Sequence, residues 1–119
     1  MIDTGFTDGG PSHIRVFDCD IEAGKLTNGK VFADGFAPDI TDGMRCDVDG
    51  NLYVSRYGKG TVAVLSPQGE VLREIDVLGK SPSNLCFGGP DGRTVYVTEV
   101  TKRRLVQFRT DRPGLAWRR

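Results

Sequence analysis

The chain has 119 residues, enough for one small domain, and its 16 Lys and Arg residues balance 16 Asp and Glu residues, so that the formal net charge is zero. The lack of a basic excess argues against a nucleic acid or an anionic membrane as the partner. No apolar run approaches the roughly 20 residues that span a bilayer. Met1 is not followed by the basic and apolar regions of a signal peptide, so a cytoplasmic location is expected.

Short strands separated by turns are predicted along the whole chain, because the 16 glycines are spread rather than clustered. The opening strands are predicted over 2–4 and 13–17. In the centre of the chain, strands are predicted over 44–48, 52–55, 61–65 and 71–77, with a loop at 56–60 and turns at 49–51 and 67–69. The last strands are predicted over 95–98 and 104–108, with a further innermost strand after Asn84. No segment shows a sustained helical period.

Two stretches of the chain resemble each other at a period of 42 to 43 residues, which lies in the range of β-propeller blades. The matching positions are Asp42 with Asn84, Asp49-Gly50 with Asp91-Gly92, and 52–55 with 95–98. A third, partial copy opens the chain, since 13–17 matches 61–65 and 104–108. The sequence therefore predicts an all-β partial propeller of about two and a half four-stranded blades. The predicted divisions are the end of one blade at 1–38, a complete blade at 39–80 and an incomplete blade at 81–119. A β-sandwich or barrel of about 8 to 10 strands is the alternative, and the in-register repeat disfavours it.

Three cysteines occur at wide spacing among strand-forming residues. They are predicted to be free buried thiols of a reducing compartment. A zinc site is not expected, because the sequence has no CxxC pair and His13 is the only histidine.

Blade topology predicts which polar residues share a face of the molecule. The loops between the second and third strands lie on the same face as the loops between blades, and here these segments are 3–12, 39–42, 56–59, 79–84 and 99–103. Asp42 and Asn84 are predicted to stand just before the innermost strands and to point at the mouth of the axis. Their oxygens suit a hard cation such as Ca²⁺, although Asp-Gly is also a common turn pair and Asn often caps a strand. The EF-hand-like string at 47–51 lacks the downstream Glu and is predicted to be a turn.

The chain resembles the gluconolactonase family, which includes senescence marker protein and luciferin-regenerating enzyme. The motifs that carry the resemblance are TDGM at 41–44, CDVDGNLYVSRYGKGTV at 46–62, SNLCFGG at 83–89, and the earlier runs IDTG, IRVFDCD and KLTNGKVFAD. The resemblance covers nearly the whole chain. It implies a six-bladed propeller with one divalent metal ion at its axis, and many members of the family hydrolyse sugar lactones.

The resemblance also implies roles for individual residues. Asp42 matches the family's metal-binding aspartate, which is also its proposed general base, and Ca²⁺ is expected ahead of Zn²⁺ or Mn²⁺. The family's other metal ligands, a Glu near the N-terminus and an Asn in an earlier blade, have no counterpart here. Asn84 holds an axial position that is often polar in related propellers. Arg56, Tyr57 and His13 lie on the face where they could contact sugar hydroxyls or carboxylates, or else be a solvated loop and a strand edge.

Two hypotheses follow from the sequence. The first is a metal-dependent hydrolase of sugar lactones or related esters, with a small lactone or sugar acid as substrate, active only within a complete propeller. The second is a non-catalytic propeller fragment that binds or self-assembles through exposed blade faces into a homo-oligomer. The chain could be a fragment, a short product that assembles into a ring, or a degenerate protein. The segment 3–12 could cover the mouth of the axis or be a disordered insertion.

Overall fold

The computed structural model describes residues 2–3 and 12–117, and these residues form ten β-strands and one short 3₁₀ helix. The strands are β1 Ile2–Asp3, β2 His13–Asp20, β3 Lys25–Ala33, β4 Ile40–Cys46, β5 Leu52–Tyr57, β6 Thr61–Leu65, β7 Val71–Asp76, β8 Pro82–Gly88, β9 Thr94–Glu99 and β10 Arg104–Arg109. The helix is Leu115–Trp117. The all-β prediction is confirmed. None of the helices in the described part of the chain is long and apolar enough to cross a membrane.

The strands form three antiparallel sheets in which each strand pairs with its neighbours in the chain. The orders are β1-β2-β3, β4-β5-β6-β7 and β8-β9-β10. The hairpin turns depend on residues that adopt positive φ, such as Gly50 at 83° and Gly69 at 88°. Such up-and-down sheets are the form that propeller blades take, whereas a sandwich would need strands that cross between sheets.

The hydrophobic core lies between the sheets in two layers, and β5 and β6 contribute to both. The first core, between the first and second sheets, consists of Ile14, Ala33, Phe36, Val54, Ala63 and Leu65. The second core, between the second and third sheets, consists of Tyr53, Val62, Val64, Val77, Leu85, Val95 and Val97. Successive residues of β5 and β6 point to opposite faces, so the central sheet is buried on both sides. Tyr53 also packs edge-on against Phe87, with ring centroids 5.0 Å apart.

The first strand of the central sheet begins earlier than predicted, at Ile40 rather than residue 44, and ends at Cys46. It ends there because Asp47 organises the turn. Its buried carboxylate accepts hydrogen bonds from the N–H groups of Asp49 and Asn51 at 2.9 and 3.0 Å, and from Asn51 Nδ2 at 2.9 Å. The EF-hand-like string is therefore a turn, as predicted, since its first carboxylate is saturated by its own loop.

The three cysteines are free, as predicted, but the prediction that all are buried is wrong. Cys19 is exposed because it lies near the tip of the β2–β3 hairpin, and Cys86 is exposed because it follows Leu85, which points into the second core. Cys46 is half-buried, and burial, with a smaller contribution from the charge of Asp47, raises the pKa of its thiol.

The segment at 110–117 crosses the hairpin turns of the second and third sheets. Its backbone bonds join Thr110 N to Arg93 O at 2.9 Å, Val48 N to Pro113 O at 3.0 Å, and Gly114 N to Gly92 O at 3.1 Å. This segment thus links the two sheets on the face that carries the hairpins, which we call the hairpin face.

Candidate functional site

The loops predicted to share one face are joined to one another by hydrogen bonds. The bonds run from Ser12 Oγ to Asp39 O at 2.8 Å, from Gly58 N to Lys80 O at 2.7 Å, from Val100 N to Ser81 O at 3.0 Å, and from Thr101 Oγ1 to Ser81 Oγ at 2.7 Å. We call this the loop face. It lies at the opposite ends of the strands from the hairpin face, and it carries every candidate site residue.

Asp42 is exposed and lies on a β-bulge inside β4 rather than before the strand. Thr41 pairs with Arg56, and Met44 pairs with Val54, so Asp42 and its neighbour Gly43 together face one residue of β5, Ser55. The carboxylate therefore projects from a distorted point of an inner strand. A bulge of this kind re-aims a side chain that a regular strand would present differently.

Asn84 lies on a similar irregularity inside β8. Pro82 pairs with Glu99, and Asn84 pairs with Thr98, which leaves Ser83 as an extra residue. Asn84 is exposed, and its Oδ1 accepts the N–H of Leu85 at 2.9 Å. The prediction that Asp42 and Asn84 precede their strands is wrong for both residues.

The strand pairing also corrects the sequence alignment of these two positions. In the two sheets, Met44 holds the place of Leu85, and Thr41 holds the place of Pro82. Two residues lie between these anchors in each strand, so Asp42 corresponds to Ser83, and Gly43 corresponds to Asn84. The alignment of Asp42 with Asn84 is off by one residue, because the paired residues Met44 and Val54 are 10 positions apart in the chain, whereas their counterparts Leu85 and Val97 are 12 positions apart.

Gly43 and Asn84 bring the two bulges into contact. A Cβ atom on Gly43 would lie 2.0 Å from Asn84 Oδ1 and 2.8 Å from Asn84 Cα, distances that real Cβ atoms do not show. Only glycine permits this approach of β4 to β8. The approach places Asp42, the residue before Gly43, next to the strand that carries Asn84.

The carboxylate of Asp42 and the amide oxygen of Asn84 are ligands of the type that Ca²⁺ prefers. Within residues 12–117, no three His, Cys, Asp or Glu side chains cluster closely enough to hold a metal ion. Asp42 and Asn84 therefore fit two positions of an oxygen-ligand set and do not form a complete set in this part of the chain.

Arg56 is buried within the loop face. Its Nη1 donates to Glu74 Oε1 at 2.8 Å, its Nη2 donates to Phe36 O at 3.2 Å, and its Cζ lies 5.0 Å from the centre of the Phe36 ring. Glu74 and Phe36 thus enclose the guanidinium, and a sugar could reach it only after these contacts break.

Tyr57 and His13 lie at strand ends on the loop face. Tyr57 is the half-buried last residue of β5 and pairs with Ile40. His13 is the half-buried first residue of β2 and pairs with Asp3. Most of the segment predicted to cover the mouth, residues 4–11, lies outside the described residues.

Glu99 is a buried acidic residue that sequence reasoning missed. It is the last residue of β9 and holds the position that corresponds to Arg56 in β5. Its carboxylate accepts hydrogen bonds from the backbone N–H groups of Ser81, Thr101 and Lys102 at 3.1, 2.9 and 2.8 Å. Burial raises the pKa of this carboxyl, but the three backbone donors outweigh burial and lower it. The sequence does contain a sign of this difference, because YVSR at 53–56 matches YVTE at 96–99 and so places a Glu where the preceding repeat has an Arg.

Glu74 balances two cations at the edge of the loop face. It accepts Lys59 Nζ at 2.7 Å and Thr61 Oγ1 at 2.9 Å in addition to Arg56. Burial raises the pKa of the Glu74 carboxyl, whereas the bonds from Lys59, Arg56 and Thr61 lower it, with a net value of about 2.

The lowered pKa of Glu74 predicts a loss of stability in acid. Its folded pKa lies below the unfolded value of 4.5, so the contribution is complete above pH 4.5 and is lost as the pH falls toward 2. The shift corresponds to at most about 3 kcal/mol. Because the side chain is 26% exposed, solvent screening reduces the expected loss to about 1–2 kcal/mol. Urea unfolding at a series of pH values checks this, with Glu74→Gln as the reference variant. An equally steep pH dependence in Glu74→Gln would contradict the assignment.

The family model described as SMP-30/Gluconolactonase/LRE-like region matches residues 5–111. Among curated relatives, regucalcin of Bos taurus is 36% identical over 87 residues, which cover 71% of this chain and 29% of that protein. The 6-deoxy-6-sulfogluconolactonase of Pseudomonas putida is 36% identical over 72 residues, which cover 60% of this chain and 25% of that enzyme. The chain thus spans less than a third of the length of these relatives.

Solved structures of similar proteins share the fold. A luciferin-regenerating enzyme superposes with a TM-score of 0.78 at 18% identity, covering 88% of this chain and 40% of that one. A calcium-binding protein, regucalcin from Agrobacterium tumefaciens, superposes with a TM-score of 0.70 at 23% identity, covering 87% of this chain and 39% of that one. These likenesses support the partial-propeller architecture.

Proposed function

The chain belongs to the SMP-30/gluconolactonase/LRE-like family, and we propose from this membership that it is part of a metal-dependent hydrolase of sugar lactones that is active only within a complete propeller. The name of the Pseudomonas relative, a 6-deoxy-6-sulfogluconolactonase, supports a small sugar lactone as the substrate class. The calcium-binding solved relative supports Ca²⁺ as the ion.

The observation that carries this proposal is that the exposed Asp42 lies on the β4 bulge and that its neighbour in the bulge, Gly43, is in close contact with Asn84 of the next sheet. Asp42 would supply a carboxylate ligand, and Asn84 Oδ1, which accepts one hydrogen bond from Leu85, has capacity for a second interaction. A bound divalent cation would polarise the lactone carbonyl and lower the pKa of a water molecule. The Asp42 carboxylate would orient that water and accept its proton. The remaining ligands would come from the portion of the family fold that this chain does not cover.

Tyr57 and His13 are proposed to contact the hydroxyl groups of the sugar from the loop face, where each lies at a strand end. Arg56 is proposed to have a structural role instead. Since Glu74 and Phe36 enclose its guanidinium, it would hold the loop before β4 in place, and it would contact substrate only if these contacts broke.

The test uses a chimera in which this chain replaces the matching segment of the Pseudomonas lactonase. We expect the chimera to release acid from a sugar lactone in the presence of Ca²⁺, Mn²⁺ or Zn²⁺, and the isolated chain to be much slower. Asp42→Asn should reduce the rate of the chimera by at least about a hundredfold, in the range of a lost general base. Asp34→Asn, an exposed aspartate in the loop before β4, is the matched control and should retain the rate. Full activity of Asp42→Asn would refute the mechanism.

An assembly role is the second candidate, because the third sheet exposes apolar surface. Leu105 is 63% exposed, and among the described strands β10 has a partner on one edge only. In this case the isolated chain would form a defined homo-oligomer. Light scattering of the purified chain separates the two candidates: a monomer argues against assembly, and an oligomer that Leu105→Lys dissociates supports it.

A further inference from the structure

The β4 bulge is closed by a buried hydroxyl. Ser55 is fully buried, and its Oγ donates a hydrogen bond to the carbonyl oxygen of Gly43 at 3.0 Å. Because a bulge interrupts the regular ladder of backbone hydrogen bonds, this side-chain bond supplies a cross-strand link at the point where the ladder is broken. Asp42 is the other residue of the bulge, so the same bond limits the freedom of the backbone that carries the carboxylate.

The dependence between Ser55 and the bulge runs in both directions. A fully buried hydroxyl without a partner costs free energy, so Ser55 stabilises the conformation in which the Gly43 carbonyl faces it. If β4 were regular here, one of its residues rather than two would face Ser55. Asp42 would then point to the other face of the sheet, because side chains alternate along a strand. Ser55 therefore favours one orientation of Asp42.

The matching position in the third sheet provides an internal comparison. Thr98 holds the place of Ser55, and its Oγ1 lies 3.4 Å from the Asn84 carbonyl oxygen and 2.8 Å from Ser83 Oγ. Thr98 is exposed, so water can replace these bonds at little cost. Of the two bulges, the one that carries Asp42 is thus held by the shielded hydrogen bond.

We propose that Ser55 is a positioning residue, which fixes the backbone of the β4 bulge and thereby presents the Asp42 carboxylate at the loop face. The consequence for metal binding rests on the function proposed above, whereas the effect on the backbone does not. Ser55 itself is buried and contacts neither ion nor substrate in this role.

The experiment measures the first effect on the ¹⁵N-labelled chain and the second on the labelled chimera described above, which supplies the remaining ligands. Ser55→Ala removes only the hydroxyl, and it should lower the backbone order parameters of Asp42 and Gly43 from about 0.85 to below about 0.6. In the chimera it should also weaken binding of Mn²⁺, followed by paramagnetic broadening of the Asp42 amide signal, by about tenfold, as expected for loss of an outer-shell contact. Thr98→Val is the matched control and should leave the order parameters of Asp42 and the binding of Mn²⁺ unchanged. Ser55→Thr keeps a hydroxyl and should restore both readouts.

The outcomes separate this inference from the proposed function. Unchanged order parameters at Asp42 and Gly43 in Ser55→Ala would overturn the positioning role, whatever Mn²⁺ does. Lower order parameters in Ser55→Ala, with no broadening at Asp42 in the chimera that keeps Ser55, would support the positioning role and overturn the metal site. An equal effect of Thr98→Val on Asp42 would also overturn the inference, because it would show a general loosening of the sheets.

Discussion

Replacing Phe36 with alanine is expected to lower the free energy of unfolding by about 3–5 kcal/mol, a large part of the roughly 5–15 kcal/mol that holds a typical domain together. The Phe36 ring is 2% exposed and belongs to the first core, which joins the first two sheets. Its face also lies 5.0 Å from the guanidinium carbon of the buried Arg56. The alanine variant would therefore create a cavity and remove the aromatic surface that covers a buried cation.

Phe36→Leu serves as the matched control, because it fills most of the volume but has no aromatic face. It should lower the free energy of unfolding by less than about 1.5 kcal/mol through the change of shape. The loss should be about 1 kcal/mol larger if the contact of the Phe36 ring with Arg56 stabilises the fold. Urea unfolding of both variants gives the two values. If Phe36→Ala costs no more than Phe36→Leu, the site relaxes without a cavity, and Phe36 does not anchor the loop before β4.

The strands and tight turns were predictable because their determinants are local. Short, nearly continuous apolar runs mark β5 and β6, as expected of strands buried on both faces, and the turn after β4 is specified by Asp47 and Gly50, which lie within four residues of each other. Because successive side chains of a strand point to opposite faces, the sequence of these runs also indicates which side chains share a core. For the same reason, the β7 strand was predicted within one residue of its observed end at Asp76.

The two bulges were not predictable from local pattern. A bulge adds one residue opposite a partner strand, and nothing in the run Thr41-Asp42-Gly43 distinguishes it from a turn before a strand. Only the pairing with β5 shows that Asp42 lies inside β4. The alignment error between Asp42 and Asn84 has the same origin, since it is the pairing of Met44 with Val54 and of Leu85 with Val97 that shows which residues of the two sheets correspond.

The face of the candidate site was predictable, but the surroundings of its charged residues were not. Strand order alone assigns Asp42, Arg56 and Tyr57 to the loop face. The burial of Arg56 depends on Phe36 and Glu74, which lie 20 and 18 residues away in the chain and meet it only through the packing of sheets. The role of Glu99 depends in the same way on backbone donors from the loop before β8 and the loop after β9.

Replacing Gly43 with alanine is expected to cost about 1–3 kcal/mol, as overpacking of a close contact does, and to disturb the candidate site directly. The added Cβ would meet the Oδ1 of Asn84, which can rotate, and the Cα of Asn84, which cannot move without its strand. The double variant Gly43→Ala/Asn84→Gly removes the first clash and keeps the second. It should therefore recover only part of the loss.

Gly88→Ala is the matched control for this contact, because it also places a methyl group on an inner strand. Its Cβ would lie 3.0 Å from the edge of the Tyr96 ring, which can shift, so the cost should be smaller than that of Gly43→Ala. Urea unfolding measures both costs, and the amide signals of Asp42 and Asn84 report the local disturbance. Equal costs for the two variants would show that β4 and β8 do not approach as closely at Gly43 as the structure has them. A larger cost for Gly43→Ala, with shifted signals at both residues, would show that the glycine sets the spacing between the two oxygen-bearing side chains.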